Sequence, residues 1–337
     1  MRVVTLGTSL CWLGLSQALT TSKPSTSFRW DDMKYILAFG DSYTYVQGTA
    51  GRSNYSFVGD YLNYAYTPKT LLTSEIVKNR TSAGGPDYVE YLTGCFSGLP
   101  SECPRQLWDF AFAGADVSAR FLPRHHNFSV QLDEQIIQWS LYAKPVLPID
   151  VSRALVVIFI GINDINDSAM FTFPRKNATD FPSFYAQIIH AEMDSVAKIY
   201  DAGYRNFLFM NLPPLDRKPG NQLSATSLPN STMVHQYNLA ISSAAAQFTA
   251  AHPGAHAMVF DSYAFLAGVM DHPSRYGITN TTGFCPRFNA PDIATNYAAY
   301  GCQPIGDYFW YDSGHITWTV HRHLARAVER FLVGQSR

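Results

Sequence analysis

The sequence predicts an α/β fold, a three-layer α/β/α sandwich built on a parallel sheet. Three observations carry this. Short, nearly continuous apolar runs recur along the chain, amphipathic segments of helical period separate them, and each of the clearest runs stops at a glycine or a proline pair. Continuous apolar strands alternating with helices belong to a parallel sheet covered on both faces, and right-handed crossovers leave few topologies open.

Taken in order, residues 35–39 (Tyr-Ile-Leu-Ala-Phe) form the first candidate strand, ending at Gly40. Residues 107–112 are the second candidate, and 154–160 (Ala-Leu-Val-Val-Ile-Phe-Ile), rich in β-branched residues and ending at Gly161, the third. Residues 206–210 are the fourth, stopped by Pro213-Pro214, and 257–260 a fifth. Helical period marks 130–142, 184–200, the Ala-rich 234–251 and the closing segment 317–333. Ligands of such folds sit beyond the carboxyl ends of the strands, so the residues just after each run are the ones to inspect for chemistry.

The chain has 337 residues, 47% of them hydrophobic, enough for a substantial core. A formal net charge of −1, with 15% charged residues and no basic stripe, gives no footing for nucleic-acid binding. The start reads as a secretory leader: Arg2, an apolar stretch over residues 3–15, and Ser16-Gln17-Ala18 as a small-residue cleavage site. No later apolar run approaches the ~18 residues needed to span a bilayer. The mature protein is therefore expected to be exported and soluble.

Loss of the leader removes Cys11 and leaves Cys95, Cys103, Cys285 and Cys302. An even set in an oxidising compartment reads as two disulfides. Of the three possible pairings, Cys95–Cys103 with Cys285–Cys302 is favoured, because each closes a short local loop. A Cys₄ zinc site lacks its usual C-x₂-C spacing here. His321 and His323 stand two apart and diverge on a helix, and His125-His126 has no neighbouring ligand pair, so no metal is expected. Sequons at Asn54, Asn79, Asn127, Asn166, Asn177, Asn230 and Asn280 are candidate N-glycosylation sites.

Four blocks carry possible chemistry. Phe39-Gly40-Asp41-Ser42-Tyr43 follows the first strand, where a sharp turn would expose the Ser42 hydroxyl; a serine needs such positioning and a base to act as nucleophile. Alone, the block suits an N-cap or turn equally well. Asp312-Ser313-Gly314-His315 precedes the last helix, and its three-residue spacing lets one turn hold an imidazole base and the carboxylate that orients it. Alone, it suits a capped helix start. Gly161-Ile162-Asn163-Asp164, after the most hydrophobic strand, and Gly114, after the second, offer donors for a developing oxyanion, each worth about 10²–10³ in rate in such sites. Both also fit ordinary turn chemistry. The coincidence of all four at strand ends or at the entrance of the last helix is what singles them out.

In this order, Gly-Asp-Ser near the mature start, a glycine after strand two, Gly-x-Asn-Asp after strand three and Asp-x-x-His near the end, the chain resembles the SGNH/GDSL hydrolases. The blocks span nearly the whole mature chain. The resemblance implies a flavodoxin-like five-stranded sheet of order 2-1-3-4-5 and no metal or organic cofactor. It implies Ser42 as nucleophile, His315 as base with Asp312 as its partner, and the Ser42 N–H, Gly114 and Asn163 as oxyanion donors. The boundaries it suggests are a signal peptide over 1–18, an N-terminal segment over 19–33 and one hydrolase domain over 34–337. The wording Phe-Gly-Asp-Ser-Tyr, Ile-Gly-Ile-Asn-Asp-Ile, Asn-Leu-Pro-Pro-Leu and Trp-Tyr-Asp-Ser-Gly-His is most similar to the fungal secreted acetylesterases of carbohydrate esterase family 16. Plant extracellular GDSL lipases share Asn-Leu-Pro-Pro-Leu. Two departures are Tyr43, where the family name has Leu, and Asp109, where many members have Asn. The G-x-S-x-G elbow of ordinary α/β-hydrolases is absent.

The expected activity is thus a secreted serine esterase that removes acetyl groups from plant-wall oligosaccharides, with a small ester as its partner, no nucleic acid and no transmembrane segment. The competing readings are a lipase or phospholipase, and a catalytically silent secreted binding protein.

Overall fold

The computed structural model describes residues 27–59, 67–175 and 177–336. The leader assigned to 1–18 lies outside the described residues. In chain order the elements are β1 (Tyr35–Gly40), α1 (Pro68–Thr73), α2 (Tyr88–Thr93), β2 (Gln106–Asp109), α3 (Leu132–Gln138), β3 (Ala154–Phe159), α4 (Ile162–Ser168), α5 (Phe181–Asp201), β4 (Asn206–Met210), α6 (Pro219–Leu223), α7 (Ser231–Ala251), β5 (His256–Phe260), α8 (Ser262–Asp271), α9 (Ile293–Asn296) and α10 (Trp318–Gln335).

The five strands form one parallel sheet of order β2-β1-β3-β4-β5, as the resemblance implies. Central β1 and β3 are buried almost throughout, which is why their sequences read as unbroken apolar runs. Helices α3, α5 and α7 pack side by side in one layer, and α10 packs against α2 and α8 in the other. The long helices are amphipathic: α5 buries Phe184, Ile188, Val196 and Ile199, and α10 buries Val320, Leu324, Val328 and Leu332.

Small boundary differences have local causes. The run expected over 107–112 ends as regular strand at Asp109, whose carboxylate accepts the Ala111 N–H at 2.7 Å and the Val46 N–H at 3.2 Å. Contact with β1 still continues, through Phe110 N–H to Ala38 O and Phe112 N–H to Gly40 O. The helix expected over 130–142 starts at Leu132, behind a Gln131/Glu134 capping box, and after Gln138 widens into a π-turn at Trp139–Ala143. Both disulfides form with the expected pairing, Cys95–Cys103 and Cys285–Cys302. The first belongs to the main core. The second sits in a separate small cluster with Ile305 and Tyr308, between α8 and α10. Among the described residues, no helix is long and apolar enough to cross a membrane.

Candidate active site

The strand-end serine owes its position to Gly40. There φ is +153°, and a β-carbon would stand 2.1 Å from Phe159 O on the neighbouring strand, so only glycine lets β1 turn away here. The Gln135 side chain clasps this residue on both sides, accepting the Gly40 N–H at 3.0 Å and donating to Gly40 O at 2.8 Å. The chain then winds through a tight turn, with the Thr44 and Tyr45 N–H groups donating to Asp41 O and the Tyr43 N–H to the Asp41 carboxylate. Ser42 stands half-buried at the crest.

The base side is built differently. Between Tyr308 and Thr317 the chain doubles back: Trp310 and Ile316 form an antiparallel bridge, the Thr317 N–H donates to Phe309 O, and the Tyr311 N–H to His315 O. Asp312 folds over this turn, one carboxylate oxygen accepting the Gly314 and His315 N–H groups at 2.8 Å each. Its other oxygen lies 2.8 Å from His315 Nδ1, and His315 Nε2 lies 2.8 Å from Ser42 Oγ. An ionised carboxylate only accepts, so Nδ1 carries the proton and, in the neutral ring, Nε2 accepts from the serine hydroxyl. Tyr43 ties the halves together by donating its hydroxyl to Gly314 O at 2.7 Å.

The two proposed donors also arrive at the strand ends. Asn163 lies in the first turn of α4, and its amide donates to Ala115 O at 2.8 Å; that bond holds one N–H, and among the described residues the second has no partner. Ala115 is the residue after Gly114, so the β2 and β3 exits are fixed to one another. Among the described residues, neither the Gly114 N–H nor the Ser42 N–H is taken by a hydrogen bond. Asp164 is buried and accepts the Val117 N–H at 3.1 Å.

A match to the family described as GDSL-like Lipase/Acylhydrolase covers residues 36–328. The chain belongs to that family. Membership makes this acylhydrolase a carboxylic ester hydrolase. It is 26% identical over 301 residues to an acetylesterase of Thermothelomyces thermophilus, covering 88% of this chain and 87% of the relative. With an acetylesterase of Hypocrea jecorina the identity is 24% over 352 residues, 91% of each chain. Among solved structures it is similar to Est24, a carbohydrate acetylesterase from Sinorhizobium meliloti, at a TM-score of 0.45 and 12% identity, covering 89% of this chain and 99% of that one.

The electrostatics of the acylhydrolase site favour a charged pair. Burial opposes charge on His315, but the Asp312 carboxylate, by its charge and hydrogen bond, and then Asp41 outweigh it; the imidazole is raised above the usual histidine range. Burial likewise opposes the Asp312 charge, and His315 together with the Gly314 and His315 amides outweighs that, holding the carboxyl below its usual range. Asp41 is fully buried, and desolvation pushes it up to about 7 despite the Tyr43 and Ile162 amides.

Sequence reasoning missed three neighbours. Lys218, after β4, donates to Asn166 Oδ1 at 2.6 Å, one helical turn beyond Asn163, and burial pulls its ammonium down to about 8. Two residues on, the Gly220 N–H donates to Ser313 O at 2.9 Å, tying that segment to the histidine turn. His321 is buried and neutral, driven down to about 3 by desolvation; it stacks on Tyr88 and accepts the Tyr88 N–H. Asp109, the departure in the second block, is a buried carboxyl that shapes the β2 exit. A Lys four residues after a double-proline stop and a helix signal at Asp87-x-x-Glu90 were the available clues. Among the described residues no group of three or more His, Cys, Asp or Glu could hold a metal ion.

Of the sequons, Asn54, Asn79, Asn127, Asn177 and Asn230 are exposed, and Asn166 and Asn280 half-buried.

Proposed function

We propose that the protein is a secreted serine acetylesterase that removes acetyl groups from plant-wall-derived oligosaccharides. The observation that carries the reading is the unbroken chain of 2.8 Å hydrogen bonds from Asp312 through His315 to Ser42, set at the carboxyl ends of a parallel sheet. His315 Nε2 takes the Ser42 proton as Oγ attacks the acetyl carbonyl. The tetrahedral oxyanion is held by the Ser42 and Gly114 N–H groups and the second N–H of Asn163. The imidazolium, steadied by Asp312, returns its proton to the departing sugar oxygen. Water, deprotonated by the same imidazole, then releases acetate and restores Ser42.

The acetyl part of the proposal draws on the likeness to the acetylesterases of Thermothelomyces thermophilus and Hypocrea jecorina; the carbohydrate part draws on the resemblance of the sequence blocks to the fungal carbohydrate esterases. Secretion fits the apolar leader with its small-residue cleavage site, the two disulfides and the seven candidate sequons. The reading treats residues 34–337 as one hydrolase domain.

Initial rates on 4-nitrophenyl acetate and 4-nitrophenyl octanoate test the substrate class. The proposal expects the acetyl ester to be preferred by at least about tenfold in kcat/KM, since a small acyl site gains little from added methylenes. Preference for octanoate makes the protein a lipolytic esterase instead. Absence of turnover and of labelling by a fluorophosphonate makes it a silent binding protein.

A further inference from the structure

A cleft of about 550 Å³ opens beside the imidazole. His315, Asp312 and Tyr311 form one wall, and the loop bearing Lys78 and Arg80 the other. The two walls are locked together. Gly84 adopts φ +70° and lies so close under the Tyr311 ring that a β-carbon would stand 2.2 Å from it, and the Trp318 N–H donates to Ala83 O. Phe288 packs edge-on against Tyr311, 5.0 Å between ring centres. The cleft is therefore a preformed feature of the fold.

Its position assigns its role in the proposed reaction. The leaving alcohol receives its proton from His315 Nε2, so that half of the ester must lie on the imidazole side of Ser42, whereas the acetyl group faces the oxyanion donors. The lining suits a sugar better than a hydrocarbon chain, with aromatic faces at Tyr311 and Phe288. Lys78 and Arg80 are both exposed, and among the described residues neither has a carboxylate within ion-pair distance. The carboxylate that shares the cleft, Asp312, is already committed to His315. Among the described residues, the cleft thus presents two cations without a partner carboxylate to whatever occupies it.

We infer that this cleft is the subsite for the alcohol half of the ester and that it takes an acidic sugar, with a uronate carboxylate beside Lys78 and Arg80 and the ring against Tyr311. The inference rests on the acetylesterase reading and adds the charge of the substrate to it.

The test compares kcat/KM on acetylated xylo-oligosaccharides of equal length with and without one glucuronate substituent, before and after endoglycosidase trimming, because Asn54 and Asn79 stand at the cleft in sequons. The expected ratio in the untouched protein favours the acidic substrate by about tenfold and shrinks as salt is added. Arg80→Gln and Lys78→Gln should each lower that ratio several-fold, and the pair should bring it near one, while Lys198→Gln on the far face of α5 keeps it. A ratio of one in the unmodified and trimmed protein, or a ratio indifferent to both substitutions, overturns the inference. A second readout separates this failure from failure of the acetylesterase reading. With 4-nitrophenyl acetate as reporter, the deacetylated acidic oligosaccharide should inhibit more strongly than the neutral one, whether or not acetylated sugars are turned over. Stronger inhibition by glycerophosphocholine than by the acidic oligosaccharide would place a phospholipid headgroup in the cleft and also overturn it.

Discussion

The proposed nucleophile and the proposed base of this molecule are held by two different kinds of structure. Ser42 sits at the end of a central strand, flanked by parallel neighbours and fixed by Gly40 against Phe159 and by the Gln135 clasp. His315 sits in a stretch between α8 and α10 that contributes no strand to the sheet, only α9 and short 3-10 turns; Phe309, Trp310 and Ile316 anchor it to the main core, and a small separate cluster forms around Cys285, Cys302, Ile305 and Tyr308. The sheet places one half by hydrogen-bond register. The other half is placed by a disulfide, aromatic packing and a carboxylate folded over its own turn. A rigid scaffold can present a hydroxyl, but an imidazole must swing between two oxygens and so is carried on a locally stapled loop.

The largest expected effects test that division at the loop. His315→Ala should lower kcat for 4-nitrophenyl acetate by about 10⁶, and Asp312→Asn by about 10⁴, because the amide leaves the ring in place with the wrong tautomer favoured. Equal and negligible losses would show that a different pair serves the reaction. Next comes Asn163→Ala, with an expected loss of about 10²–10³ in kcat and little change in KM, measured in the same assay. A change confined to KM would remove Asn163 from the oxyanion site.

The pH behaviour sharpens the contrast between core and site. Burial pushes the carboxyls of Asp41 and Asp116 up to about 7 and those of Glu90 and Glu192 up to about 8. Each binds its proton more tightly in the folded than in the unfolded chain, so its contribution is full below about pH 4 and is lost as pH rises toward 8. His315, also raised, adds stability in the same direction, while Asp312, lowered, contributes above its unfolded value and loses that contribution in acid. Melting temperature should therefore fall by roughly 5 °C between pH 5 and pH 8. Activity should instead rise with pH as His315 gives up its proton, with a midpoint above the usual histidine value. Parallel slopes would contradict this assignment of charges.

The smallest effect separates the two disulfides. By chain entropy each contributes about 2.5–3 kcal/mol, so replacing either pair by serine should lower the melting temperature by about 4 °C in calorimetry. Only the Cys285→Ser, Cys302→Ser protein should also lose kcat, since only that bridge supports the base. Equal losses of activity would erase the distinction between the two regions.

What could be read in advance followed from locality. The strands were legible because β1 and β3 are buried on both faces and so are continuously apolar, and the two disulfides because their loops are short. The Ser42 and Asp312/His315 blocks were legible as residue types at strand and helix boundaries. The buried acids Asp87, Glu90, Asp109 and Asp164 were not, since burial is a tertiary property and an acidic residue in sequence defaults to the surface. Helix α2 left a signal, the Asp87/Glu90 capping box, that six residues of weak periodicity did not strengthen. Lys218 and Arg80 owe their interest to neighbours 50 to 230 positions away, which no local pattern encodes.

The most direct test is replacement of the single oxygen on which the whole site converges. Ser42→Ala should fold with an unchanged melting profile, hydrolyse 4-nitrophenyl acetate about 10⁶ times more slowly and take up no fluorophosphonate. Retained turnover in a folded Ser42→Ala protein would contradict the account outright.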